Sequence, residues 1–204
     1  MEDMRRLMRR ATGGTLKMTR SSLLAAIALA ALAGPALPSA FAATETVMVG
    51  GQAMYPSKNI VANAVNSADH TTLVAAVKAA GLAGVLSGKG PFTVFAPTNE
   101  AFADLPKGTV ATLLQPKNKA ELAKILEYHV VAGDYTTTKL RALILRDGGM
   151  ATLKTVAGQP ITVTMNGSSN LIVKDAKGGV ADITVADVTQ SNGVIQVIDH
   201  VLLP

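Results

Sequence analysis

The chain has 204 residues, no cysteine, no tryptophan and 3% aromatics, with 19 Lys/Arg against 14 Asp/Glu. Disulfides and thiolate metal sites are therefore excluded, and stacking platforms for bases or sugar rings are hard to build. Six basic and two acidic residues lie in the first 42, so the rest carries thirteen against twelve, a net of +1. That balance gives no basic patch for nucleic acid.

Residues 1–42 read as a secretory signal peptide. Arg5, Arg6, Arg9, Arg10, Lys17 and Arg20 make a basic start, and Leu23–Ala33 is an unbroken apolar run. Pro35 and Pro38 follow, then the small residues of Ala40-Phe41-Ala42. Eleven apolar residues fall short of the roughly 20 that a membrane crossing needs. Cleavage after Ala42 leaves 162 residues and no stable membrane span. A single domain of that size buries roughly 70% of its unfolded surface.

Residues 43–56 read as a linker, with Gly50-Gly51 and Tyr55-Pro56 as breakers. The folded domain is expected over 57–204. Ser57 caps a helix carrying Ile60, Val61, Ala64 and Val65. A second helix starts at Thr71 or Thr72 and stops at Gly81, and Leu82–Leu86 adds a short turn. Phe92–Ala96 is a strand that Pro97 ends, because proline offers no donor. Thr98 or Asn99 then caps a helix with Glu100 in its first turn. Lys107–Leu114 is helical, and Asn118 with Glu121 has capping-box spacing for a helix to Tyr128. Thr138–Arg146 is the last helix.

Strands then dominate. Thr152–Val156, Ile161–Met165, Leu171–Lys174 and Ile183–Ala186 are expected, with a hairpin at Asn166-Gly167. Asn166-Gly167-Ser168 is also a glycosylation sequon, and the hairpin turn is the stronger reading. Asn192-Gly193 turns into a final strand, Val194–Val201. Helices first and strands later argue for an α+β fold.

Catalytic patterns are missing. Gly84–Gly90 fails the phosphate-loop spacing, and there is neither a G-x-S-x-G elbow nor H-E-x-x-H. His70, His129 and His200 show no ligand spacing, and the neighbouring Asp69 and Asp199 diverge from them, so no metal is expected. Asp187 or Glu127 would need a cleft partner to act as a general base, and the sequence pairs neither. No catalytic residue and no cofactor are expected. His129, at a helix end before Val130-Val131, reads as a partly buried structural histidine.

Three segments together resemble the fasciclin domain family, in its single-domain secreted bacterial form. They are Thr93–Phe102 (TVFAPTNEAF), Tyr128-His129 and the closing Val194–Pro204 (VIQVIDHVLLP). The resemblance covers roughly Ile60–Pro204. It implies a β-sandwich wedge with surrounding helices. Its structural signature here is Thr93, Phe95, Pro97, Thr98, Asn99, Phe102, His129, Gly193, Ile198 and Asp199. It also implies an adhesion or interaction module that is not an enzyme. The partner is a protein or a surface polymer, contacted through Tyr128, His129, Asp187 and Val188. Gln196 stands where the closing box often has His, and Ala186 and Thr189 flank Asp187-Val188 without the fuller animal pattern. The alternative is a soluble carrier of an apolar small molecule such as a carotenoid or lipid, with the aliphatic residues lining a groove.

Overall fold

The computed structural model describes residues 46–204. The expected signal peptide lies outside them. Seven strands form one sheet: β3 (Phe92–Pro97), β4 (Val130–Ala132), β5 (Met150–Lys154), β6 (Pro160–Asn166), β7 (Asn170–Lys174), β8 (Val180–Gln190) and β9 (Gly193–Ile198). Their order across the sheet is β4-β3-β9-β8-β7-β6-β5. Only β3 and β9 run parallel. The other pairs are antiparallel.

β8 shapes the wedge. Its first residues pair with β7 and the rest with β9, with register shifts around Val185. Such bulges bend a strand and raise its twist. The sheet curls until its outer strands meet, where Val131 bridges Thr155 and the Val156 N–H donates to the Val130 carbonyl at 2.8 Å.

Two apolar cores follow from strand alternation. Val94, Ala96, Ile195 and Val197 face the helical layer of α1 (Ile60–Ala64), α2 (Thr71–Ala80), α3 (Ala83–Leu86) and α6 (Lys119–Tyr128). Phe95 and Ile198 face the inside of the wedge, with Val163, Val173 and Ala181 from the curled sheet. There they meet Leu140 and Ile144 of α7 (Thr137–Arg146). β3 is buried on both faces, which explains its apolar run Val94–Pro97. The terminal strand lies beside it, as the paired boxes require.

The short helices α4 (Asn99–Ala103) and α5 (Thr109–Leu113) connect β3 to α6. Thr98 caps α4, its Oγ1 accepting from the Ala101 N–H at 3.3 Å. Gly81 ends α2 with φ 77°.

Four expectations are corrected. The stretch taken as linker contains a hairpin, β1 (Val47–Val49) and β2 (Gln52–Met54), that buries Val49 and Met54 in the helix-side core. Three-residue strands are too short to show a period. Asn59, not Ser57, caps α1, accepting from the Ala62 N–H at 2.8 Å. Asn118 makes no cap bond; the tight turn Pro116–Asn118 holds it at φ −102°, and its Nδ2 donates to the Thr112 carbonyl. The last strand stops at Ile198, not Val201, because its partner there is Pro97.

Candidate functional site

Tyr128 and His129 end α6, and both are buried. The Tyr128 hydroxyl crosses the wedge core, donates to the Pro160 carbonyl at 2.9 Å and accepts from the Ala176 N–H at 2.9 Å. It thereby ties β6 to the β7–β8 turn. His129 Nδ1 lies 2.8 Å from the Ile125 carbonyl, and its Nε2 accepts from the Leu202 N–H at 2.9 Å. The two contacts fix a neutral ring with the proton on Nδ1. Burial, the dominant cause, pushes the His129 pKa down to about 4. Asp175 finishes the anchoring, accepting from the Leu203, Lys177 and Gly179 N–H groups. One dipeptide and one carboxylate thus hold the C-terminal end against the wedge.

Asp187 sits in the β8 bulge at φ 56°, the one non-glycine residue with positive φ among the described residues. Its carboxylate accepts from the Thr137 N–H at 2.7 Å, the Thr137 hydroxyl at 2.5 Å and the Gln196 Nε2 at 2.8 Å. Its own N–H donates to Gln196 Oε1 at 3.0 Å. Gln196 is fully buried and also donates to the Tyr135 carbonyl. This network joins α7 to the bulge, where an anion is favoured by the helix N-terminus. Asp187→Ala is expected to lower stability by about 2–3 kcal/mol, because the charge-assisted bonds to Thr137 and Gln196 Nε2 are lost, while Gln196 keeps the Tyr135 carbonyl and the residue 187 N–H. Thermal melting checks it; an unchanged midpoint would return Asp187 to the role of a surface contact.

The expected contact patch is corrected by these positions. Tyr128, His129 and Val188 are buried, and the half-buried Asp187 spends its carboxylate internally. The backbones do lie in one row across the sheet. The Phe95 N–H donates to the His129 carbonyl, Phe95 pairs with Gln196, and Gln196 holds Asp187. The four side groups converge on no common surface.

The remaining signature residues also point inward or to backbone. Thr93 Oγ1 donates to the Gly133 carbonyl at 2.7 Å and accepts from the Tyr135 N–H at 2.8 Å. Asn99 accepts from the Thr72 N–H at 3.0 Å and donates to the Ala68 carbonyl, so it caps α2 from another helix. Phe102 packs in the helix-side core. Asp199 accepts from the Asp182 N–H at 2.8 Å. On the surface Asp199 also pairs with His200, and that bond raises the His200 pKa. Among the described residues no three His, Asp or Glu side chains are grouped to hold a metal ion.

Two hollows bear on function. An open groove of about 860 Å³ lies at one end of the sheet, between loop 87–91, turn 189–193, Asn59 and the start of α7. Its walls offer hydroxyls, amides, Lys89, and the Lys139–Asp134 pair at 2.7 Å, with no aromatic ring. The second is an apolar cavity of about 40 Å³ beneath α1–α3, with Lys78 among its lining residues.

The profile of the fasciclin domain family matches residues 68–204. The chain belongs to the fasciclin domain family. "Protein sll1483" of Synechocystis is 50% identical over 164 residues, covering 79% of this chain and 82% of that protein. Immunogenic protein MPB70 of Mycobacterium bovis is 35% identical, covering 85% and 82%. A solved FAS1 domain pair from the insect cell adhesion molecule fasciclin I superposes with a TM-score of 0.66 at 19% identity. It covers 74% of this chain and 52% of that one, and it shares the wedge fold.

In this fasciclin domain, sequence reasoning missed three polar locks, of which Asn63 is fully buried and Asn192 and Asp175 are half-buried. Asn63 bonds the Tyr55 backbone in both directions and reaches Gln190 Oε1. Asn192, read only as a turn residue, accepts from the Ile60 N–H and donates to the Leu86 and Gly88 carbonyls. Asp175 holds the C-terminal end. Their only signal was an amide or carboxylate flanked by glycine or apolar residues, which also describes an ordinary turn.

Proposed function

We propose that this fasciclin domain is an exported interaction module, not an enzyme, that binds a protein or a surface polymer through the open groove. One observation carries the reading. The family's polar boxes are consumed in bracing the fold, while loop 87–91 and turn 189–193 leave an unfilled polar cleft. The relation to an insect cell adhesion molecule supports adhesion as the outcome. Tyr128, His129, Asp187 and Val188 enter as supports that set the loops, not as contacts. A secreted or periplasmic location fits the leader's order of basic, apolar and small residues.

Attachment of the protein beginning at Ala43 to cells or envelope polymer tests this, beside an unrelated exported protein. Lys89 is exposed and makes no ion pair among the described residues. Lys89→Glu together with Ser191→Arg is expected to weaken attachment by roughly tenfold, about 1.4 kcal/mol, at an unchanged melting temperature. Equal attachment of variant and parent would remove the groove from the reading.

The carrier reading is weaker. Ligand pockets occupy roughly 300–1,000 Å³; the apolar cavity beneath α2 holds about 40 Å³, and the hollow beside Ala79, Leu113, Leu114 and Leu122, about 310 Å³, only reaches the bottom of that range. A carotenoid or lipid would have to lift α2 off the sheet.

A further inference from the structure

The sequence has two Asn-Gly pairs, Asn166-Gly167 and Asn192-Gly193, and the fold treats them oppositely. Asn192 is held by three side-chain hydrogen bonds of 2.8–3.0 Å. Gly193 is packed against the Phe92 backbone. Asn166 ends β6 at the tip of an exposed hairpin, and its amide makes no side-chain hydrogen bond among the described residues. Gly167 has φ 72°, with open space where a Cβ would stand.

We propose that Asn166 is a site of spontaneous covalent modification, deamidation through a cyclic imide. The Gly167 backbone nitrogen loses its proton and attacks Cγ of Asn166. A bond forms between that nitrogen and Cγ, the bond from Cγ to Nδ2 breaks, and ammonia leaves with Nδ2. Water then opens the imide at one of its two carbonyls, giving aspartate or isoaspartate. No electrons are transferred and water is the only co-reactant. Glycine favours the step because nothing shields its nitrogen, and the free amide of Asn166 can turn toward it.

The modification changes this loop specifically. Arg141 already donates to the Ser169 carbonyl in the same turn, so the new carboxylate arises in a loop that is already tied to a guanidinium. Isoaspartate also inserts a methylene into the backbone, which displaces the Asn166–Asn170 pairing. Asn66-Ser67 is protected as Asn192 is. Asn66 Nδ2 donates to the Ala62 carbonyl, and the Ser67 nitrogen is bonded to the Ala64 carbonyl.

Incubation of the folded protein at mildly alkaline pH, followed by peptide mass analysis, tests the proposal. Asn166 is expected to convert, with isoaspartate among the products. Asn192 is expected to convert at least about tenfold more slowly, because its hydrogen bonds must first break. In denaturant the two sites convert alike, and Gly167→Ala slows the first alone. Equal loss at both sites in the folded protein overturns the proposal. So does an intact Asn166 under conditions where the denatured protein reacts.

Discussion

Lowering the pH from 6.5 toward 4 is expected to destabilise the domain by about 3 kcal/mol through His129. Burial holds the folded imidazole down to about 4, against an ordinary value of 6.5. Between those values the unfolded state binds a proton that the folded state refuses. The stabilising contribution is therefore complete above pH 6.5 and is lost as the pH falls through the window. Below about 4 both states are protonated and the loss stops growing. Protonation converts Nε2 from an acceptor into a donor that faces the Leu202 N–H, so the C-terminal end loses its anchor. His70, also lowered by burial, acts in the same direction. His200 is raised by Asp199 and acts oppositely, but it is exposed and contributes little. Urea unfolding across this pH range measures the slope. His129→Ala should flatten it and cost about 3 kcal/mol at pH 7, from two orphaned backbone groups and a void. A midpoint that does not move between pH 6.5 and 4.5 would mean that solvent reaches the ring.

The elements legible in the sequence were those whose cause is local. Thr98 before Asn99-Glu100, Gly81 after α2 and Pro97 after an apolar run each act on their own neighbours, and each lies where expected. The core alternation of Ile161 and Val163 likewise needs no distant partner to be read. The site was less legible, because its chemistry is made by contacts between distant residues. Asp187 looked like an exposed acid until the bulge turned it toward Thr137, fifty positions away. Tyr128 and His129 were read as partner contacts, and the closing of the wedge over them depends on strands far away in the sequence. The groove was invisible for a different reason. Its walls are glycines, serines and amides from three turns, residue types that mark any loop.

A division of labour follows from these placements. Polar groups at Thr93, Asn99, Asp175, Asp187, Asn192 and Gln196 mostly bond the backbone of other elements. Each pairs a backbone N–H or C=O that short strands and helices leave without a partner. With no disulfide available, this lattice restrains the loop ends. A groove built on restrained loops loses less entropy when a partner binds.

Gly193→Ala is expected to be among the most damaging single methyl additions, costing more than about 4 kcal/mol. A Cβ on Gly193 would stand 1.9 Å from the Phe92 carbonyl oxygen, and 2.8 Å from its carbon and nitrogen. All three are backbone atoms, so no flexible group can swing aside. The approach is close because β3 and β9 begin their parallel ladder here, with Phe92 opposite Gly193 and the Phe92 N–H donating to the Asn192 carbonyl at 3.0 Å. Relief requires the two central strands to separate at their start, which also pulls Asn192 from its three partners. Gly108→Ala is the matching control. Gly108 has φ 87° and nothing within 4 Å of a Cβ, so only backbone strain of about 1 kcal/mol applies. Comparing the urea midpoints of the two variants separates the clash from the strain. Equal losses would show that β9 can step away from β3 without unfastening the domain.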